Sequence, residues 1–303
     1  MKAAVIDLGS NSVRLLVAEV EGGRVMPVFK DLVTTRLGEG VAETGLLSPE
    51  SMESTLTAVL EFQKAALFAG CERITAFATS AVREAGNGQE FLKSIKERVG
   101  IEVRLLSGQE EAELSFLGAR EGLGLQGQAL VVDIGGGSTE LALGSEKVEM
   151  SVSLPMGAVR WTQRFLKSDP PQAEEITALR HEARSLLSNF KDRFGGMKSP
   201  QGVTAVGVGG TLTSLAAVSL ELKEYHWSKV HGCVLGLDAM EAITGKLCRL
   251  APLERKKIAG LAPGRADIIA AGALIALEIM KFLELGSIIV SESDLMEGIL
   301  LTN

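Results

Sequence analysis

The chain of 303 residues lacks most of what marks a secreted, membrane-spanning or zinc-binding protein. Its three cysteines, Cys71, Cys233 and Cys248, are odd in number and have no CxxC spacing. That argues against a disulfide framework and for a reducing, cytoplasmic location. The three histidines, His181, His226 and His231, show neither HxH nor HxxxH spacing, so no zinc-ligand cluster or Ser/His/Asp arrangement can be read. His231 either lines a cleft or is a satisfied structural residue. Aromatics make up only 4%, and Tyr225, Trp161 and Trp227 are too few for a stacking platform on single-stranded nucleic acid. The longest apolar run, Ile268–Leu277, is shorter than a membrane span, and the stretch before Asp7 is too short for a signal peptide. Basic residues are outnumbered, and the net charge of −7 speaks against a broad nucleic-acid surface. A polyanion would have to be held in a local cleft, with a metal ion offsetting charge. The remaining composition, 46% hydrophobic and 23% charged, suits a globular chain long enough for two domains.

Glycine is where the sequence is rich. Leu130–Glu140, LVVDIGGGSTE, reads as a buried strand, an acid, three glycines and Ser-Thr-Glu. Such a run frees the backbone to turn sharply and present N–H groups to an anion, with Asp133 placed to hold a cation. The alternative is a tight hairpin whose glycines only supply positive φ. The same pattern opens the chain, where AVIDLGSNSVRLLVAEVEGGRV pairs Asp7 with Asp133, Gly9 with Gly135, Ser12 with Ser138 and Arg14 with Glu140. This internal repeat predicts two similar domains.

Between the repeats, strands are expected at Ala3–Ile6, Val13–Val20, Arg24–Phe29, Arg73–Ala78 and Ile101–Leu106. A helix begins at Ser48-Pro49, with Met52, Leu56, Val59, Leu60 and Leu67 on its apolar face, and ends at Gly70. Thr79–Arg83 is read as leading into a turn, with helices at Glu90–Val99 and Glu110–Ala119. Gly122–Gly127 is the expected linker and hinge. The second half is expected to carry strands Leu141–Leu143, Val148–Leu154, Val203–Val206 and Ile288–Val290. Its helices are placed at Ala158–Leu166, Pro171–Phe194, after Thr211, Asp238–Arg249, Pro252–Ala259 and Arg265–Leu285, before the amphipathic tail Leu295–Leu301. Strands alternating with helices after a meander indicate an α/β fold with mixed sheets.

Gly207–Thr211, GVGGT, is neither a dinucleotide fingerprint nor a Walker loop. It is either an anion seat at a helix N-terminus or a close-packed strand–helix turn. Arg14 and Arg83 stand beside candidate phosphate loops and could donate paired hydrogen bonds, or be solvated surface arginines. Glu110-Glu111 opens a helix, where acids favour the macrodipole. Adjacent glutamates point about a quarter-turn apart, so one can cap the helix while the other faces a cleft as a general base.

VIDLGSNSVRLL, ATSAVREA, LSGQEEAELSF, VVDIGGGSTEL, VGVGGTLTSLA and RADIIAAG, in this order over residues 5–272, resemble the exopolyphosphatase/guanosine pentaphosphate phosphohydrolase (Ppx/GppA) phosphatase family of the sugar kinase, actin and heat-shock ATPase superfamily. The resemblance implies two ribonuclease-H-like domains flanking a central cleft, residues 1–122 and 123–303, with roughly the last ten residues packing back on the first. It implies Mg²⁺-dependent hydrolysis of a terminal phosphoanhydride, with polyphosphate or guanosine penta- or tetraphosphate as substrate or ligand and a place in the stringent response. By resemblance, Glu111 is the catalytic carboxylate. Asp133, Glu140 and Asp7 are the metal-side acids. Gly9, Ser10, Asn11 and Ser12, with Gly135, Gly136, Gly137 and Ser138, form two phosphate loops. Arg14 and Arg83 face the polyanion, and Gly209, Gly210 and Thr211 form a further loop. Two departures stand out: Met296 replaces an arginine of the family's tail, and the chain stops without the helical extension of longer members. Short polyphosphate or a nucleotide is therefore the expected substrate. The competing readings are a kinase or ATPase on the same fold, and a non-catalytic regulator that binds ppGpp or polyphosphate. Neither nucleic acid nor membrane is expected as a partner, and a homodimer is left open.

Overall fold

A computed structural model describes residues 1–193 and 202–302. The first half opens with the meander β1 (Lys2–Leu8), β2 (Ser12–Glu21) and β3 (Arg24–Thr34). The short α1 (Val41–Thr44) and long α2 (Pro49–Phe68) follow, then β4 (Arg73–Ala78), α3 (Ser80–Glu84), α4 (Gly88–Val99), β5 (Val103–Leu105) and α5 (Gly108–Leu123). The second half restarts with β6 (Ala129–Ile134), β7 (Thr139–Gly144) and β8 (Val148–Leu154), followed by α6 (Ala158–Phe165) and α7 (Ala173–Arg193). β9 (Thr204–Val208), α8 (Gly209–Ser219), α9 (Trp227–Val230), β10 (Val234–Gly236) and α10 (Leu237–Arg249) come next. The chain then runs through α11 (Pro252–Arg255), a 3-10 turn at Pro263–Arg265, α12 (Ile269–Phe282), β11 (Ser287–Val290) and α13 (Leu295–Leu301).

Among the described residues the strands form two mixed sheets, in the orders β3-β2-β1-β4-β5 and β10-β11-β9-β6-β7-β8. In each, an antiparallel meander is extended by a strand parallel to its first member, β4 beside β1 and β9 beside β6. The expected α/β class with paired mixed sheets is the observed one.

The halves exchange helices. On α5, Ala112, Phe116 and Ala119 pack with Val131, Ala142 and Val206 of the second sheet. Leu114, on another face of α5, packs with Ala3, Val5 and Leu16 of the first sheet and with Leu295, Ile299 and Leu300 of α13. The two helices cross in backbone contact. A Cβ on Gly118 would stand 1.9 Å from the Asp294 carbonyl oxygen, and one on Gly298 would stand 2.1 Å from that of Leu114. No side chain larger than hydrogen fits at either position.

Several expected boundaries move. The linker expected from Gly122 begins as helix, because Gly124 (φ 61°) supplies the left-handed cap of α5. Gly122 instead lies against Ser293, whose Cβ a side chain there would meet at 2.3 Å. The expected Leu56 and Val59 are buried on α2, together with Ser51, Thr55, Ala58, Phe62 and Ala66, whereas the expected Leu67 is 60% exposed. Thr79–Arg83, read as leading into a turn, contains the start of α3, and the helix expected from Arg265 starts at Ile269 after the 3-10 turn. α1, α9 and β10 are additions, and the expected end of α7 at Phe194 lies outside the described residues.

Candidate active site

The two Asp-x-Gly repeats fold alike. In the first, Asp7 pairs across the hairpin with Arg14, and Gly9 N–H donates to the Ser12 carbonyl at 3.1 Å. In the second, Asp133 pairs with Glu140, and Gly135 N–H donates to the Ser138 carbonyl at 3.0 Å. The loops touch. A Cβ on Gly136 would stand 2.9 Å from Ser10 Cβ, and one on Gly137 would stand 2.4 Å from Ser80 Oγ. Bare backbone is what lets both loops and the start of α3 meet, and Ser10 Oγ and Ser80 Oγ lie 3.0 Å apart.

Between them lies a cavity of about 90 Å³. Asp7, Gly9, Ser10, Asn11, Ser12, Arg14, Glu111, Asp133, Gly135, Gly136, Ser138, Glu140, Gly209, Gly210 and Thr211 all line it. Of the residues singled out from sequence, Gly137 and Arg83 do not. Gly137 packs on Ser80, and Arg83 reaches the site through Glu111. Three polar lining residues were not among the predicted site residues: Thr79, Ser80 and Arg265. GVGGT is a close-packed strand–helix turn, and it also lines the cavity. It ends β9 and supplies the first turn of α8, with Gly209 at φ 82° and a Cβ there only 2.5 Å from Asp133 Oδ1.

The adjacent glutamates divide as their quarter-turn separation allows. Glu110 accepts from Ser107 N–H at 2.8 Å, while Ser107 Oγ accepts from Glu110 N–H at 3.2 Å, closing a capping box. Glu111 is buried and points inward. Its carboxyl is pushed up to about 7, first by burial and then by Asp133 and Asp7, against the pull of Arg83. Arg83 donates to Glu111 Oε1 and to the Leu106 carbonyl, the latter at 2.7 Å.

The other acids share this crowding. Burial, then Asp294, raises Asp133 to about 6, although Ser115 donates to its Oδ2 at 2.6 Å. Glu140 is raised by burial and by Glu111 and Asp133, while Ser153 donates to it at 2.6 Å. Asp7 is raised by burial, and its Oδ1 is buried without a hydrogen-bond partner. Among the described residues no three acids, histidines or cysteines stand close enough to form a complete metal site. The oxygen-only donor set and the orphaned Asp7 Oδ1 fit a hard divalent ion that takes its other ligands from water and phosphate.

The arginines differ in what they have free. Arg14 donates to Asp7 at 2.7 Å and to Asp294, so its charge is shared between two carboxylates. Arg265 has no ion pair or side-chain hydrogen bond among the described residues, and burial, then Arg14, pulls it down to about 10. Its guanidinium lies on Gly210, where a Cβ would stand 2.0 Å from Nη2. His231 is structural: it accepts from Glu292 N–H at 3.1 Å and contacts the Gly122 carbonyl at 3.1 Å.

Arg14, Gly209, Gly210 and Arg265 also line a second chamber of about 590 Å³. Its walls carry Phe29, Tyr225, His226 and Trp227, with Lys30 Nζ 6.0 Å from the Trp227 ring centroid. Met296 lies at this wall too, buried among the residues that join α13 to the first sheet.

Two mixed sheets, each presenting an Asp-x-Gly hairpin to one shared cavity, place the molecule among the two-sheet α/β cleft proteins. Its sequence narrows this: residues 16–303 match the Ppx/GppA phosphatase family, and the chain belongs to that family. Exopolyphosphatase 2 of Mycobacterium tuberculosis is 35% identical over 316 residues, covering 99% of this chain and 98% of that protein. The crystal structure of the Aquifex aeolicus Ppx/GppA family member is 35% identical, with a TM-score of 0.83, and covers 100% of this chain and 97% of that one. An exopolyphosphatase from Cytophaga hutchinsonii, 26% identical, has a TM-score of 0.90 with the same coverage of both chains.

Proposed function

We propose that this phosphoanhydride hydrolase releases the terminal phosphate of linear polyphosphate by in-line attack of water, with Glu111 as general base. The supporting observation is the position of Glu111: buried, facing the cavity between two glycine hairpins, with its carboxyl at about 7. A base with that affinity holds a proton taken from water yet is half ionised near neutral pH. The hairpin N–H groups would stabilise charge on the equatorial phosphate oxygens, which is most of what phosphoryl transfer demands, while Arg265 would bind the phosphate chain equally in the ground and transition states. Arg83 holds the Glu111 carboxylate in place, and Ser115 and Ser153 hold Asp133 and Glu140. Asp7, Asp133 and Glu140 would hold the divalent cation, Mg²⁺ on this reading. When bound, such an ion neutralises charge developing on phosphate oxygens. Phosphate release from short and long polyphosphate, with and without Mg²⁺, tests the proposal.

One observation favours a second substrate. The aromatic chamber beyond Arg14 and Arg265 is far larger than the phosphate cavity, and it suits a flat, partly apolar group attached to a phosphate chain. That favours 5′-phosphohydrolysis of pppGpp alongside polyphosphate. A side-by-side assay with pppGpp, ATP and tripolyphosphate decides it. We place the reaction in the cytoplasm, and the two domains on either side of the crossing made by α5 and α13.

A further inference from the structure

Of the two arginines lining the cavity, Arg265 is the one with no side-chain hydrogen bond or ion pair among the described residues; Tyr225 and Glu292 attract its charge without fixing its direction, and this poses a positional problem. A guanidinium without a carboxylate partner stays where its backbone and the surface beneath it put it. The surface is Gly210. The backbone is the 3-10 turn Pro263–Arg265, which lies between α11 and α12 and has only one turn of its own hydrogen bonds.

The next residue supplies the anchor. The Ala266 carbonyl accepts from Arg255 Nη1 at 3.0 Å. Arg255 is 1% exposed. Its Nε donates to the Leu247 carbonyl at the end of α10 at 2.8 Å, and its Nη1 and Nη2 grip both carboxylate oxygens of Asp169. A buried ion pair is a poor way to add stability, since apolar residues of similar volume do as well or better. What the planar fork adds is direction. It ties the carbonyl beside Arg265 to α10 on one side and to the loop between α6 and α7 on the other.

We propose that Arg255 and Asp169 are positioning residues for Arg265, a linked pair remote from the cavity that fixes where Arg265 meets the substrate's phosphates. This rests on Arg265 being a substrate contact, as in the proposed function. With the anchor loosened, Arg265 still carries its charge but samples positions away from Gly210. Substrate binding then suffers more than the chemical step.

The test is a double-mutant cycle on steady-state hydrolysis of tripolyphosphate. Asp169→Asn should raise KM about tenfold with kcat within roughly twofold, since a misplaced contact loses binding rather than the base. Arg265→Gln should raise KM at least as much. In the Arg265→Gln background, Asp169→Asn should change kcat/KM less than about twofold, because the contact it positions is already gone. Arg255→Lys, which keeps the charge and loses the fork, is the second route to the same result if Asp169→Asn folds poorly. An undiminished effect of Asp169→Asn or Arg255→Lys in the Arg265→Gln background would overturn the positioning role, whatever the melting temperatures. A normal KM in Arg265→Gln alone would instead overturn Arg265 as the substrate contact.

Discussion

Arg83 and Glu111 form an ion pair at the edge of the cavity, with Arg83 also donating to the carbonyl of Leu106, the residue after β5 on the way to α5. The arginine therefore does two things to the proposed base: it sets the direction of its carboxylate and lowers its proton affinity against burial. Arg83→Gln removes the lowering influence, so the Glu111 carboxyl rises above about 7. The acid limb of the kcat/KM profile should move to higher pH, and activity at pH 6 should fall about tenfold for every pH unit the limb moves. A pH–rate profile of the variant checks this.

Gly210 has a specific role beneath Arg265. Gly210→Ala puts a Cβ 2.0 Å from the guanidinium and should raise KM several-fold with little loss of stability, because a flexible arginine end can move aside. Gly236→Ala, where a Cβ meets nothing within 4 Å, is the control expected to leave KM unchanged. Steady-state kinetics of the pair gives the answer.

The crowded acids make stability fall as pH rises. Glu111 at about 7 and Asp133 at about 6 bind protons in the folded, metal-free protein that the unfolded chain has already released. Their stabilising protonation is complete below the usual carboxylate range and is lost as pH climbs through 6 and 7. The melting temperature of metal-free protein should be lower at pH 8 than at pH 5, and Mg²⁺ should recover most of the difference. Calorimetry at both pH values, with chelator and with Mg²⁺, measures it.

The α5–α13 crossing leaves no room for side chains. Gly298→Val would drive a branched side chain into the Leu114 carbonyl 2.1 Å away and should destabilise the fold by about 3 kcal/mol or more. Chemical denaturation of the variant measures the loss.

The hairpins were legible in the sequence because an Asp-x-Gly between two apolar strands is a local signal, and its recurrence aligned Asp7 with Asp133 and Arg14 with Glu140; that Asp7 stands across its hairpin from Arg14, and Asp133 from Glu140, is a finding of the structure. That Glu110 and Glu111 could divide their roles was legible from helix geometry; that Glu111 is the inward one was implied only by the family resemblance. Packing partners were not. Nothing in the spacing of Ala112, Phe116 and Ala119 says which sheet they meet, so the packing of α5 on the second sheet emerges only in three dimensions, whereas a return of the chain's last residues to the first half was already implied by the family resemblance. Arg265 was hidden for a related reason. Pro263-Gly264 before it signals a turn, but the apolar run after it reads as one long helix, and its site depends on Gly210, far away in sequence.

The central claim is that Glu111 takes the proton from the attacking water. Phosphate release from tripolyphosphate by Glu111→Gln, measured beside binding of the same substrate, tests it most directly. A loss in kcat of about 10²–10⁴-fold with binding retained is the predicted result. Near-normal turnover would contradict it.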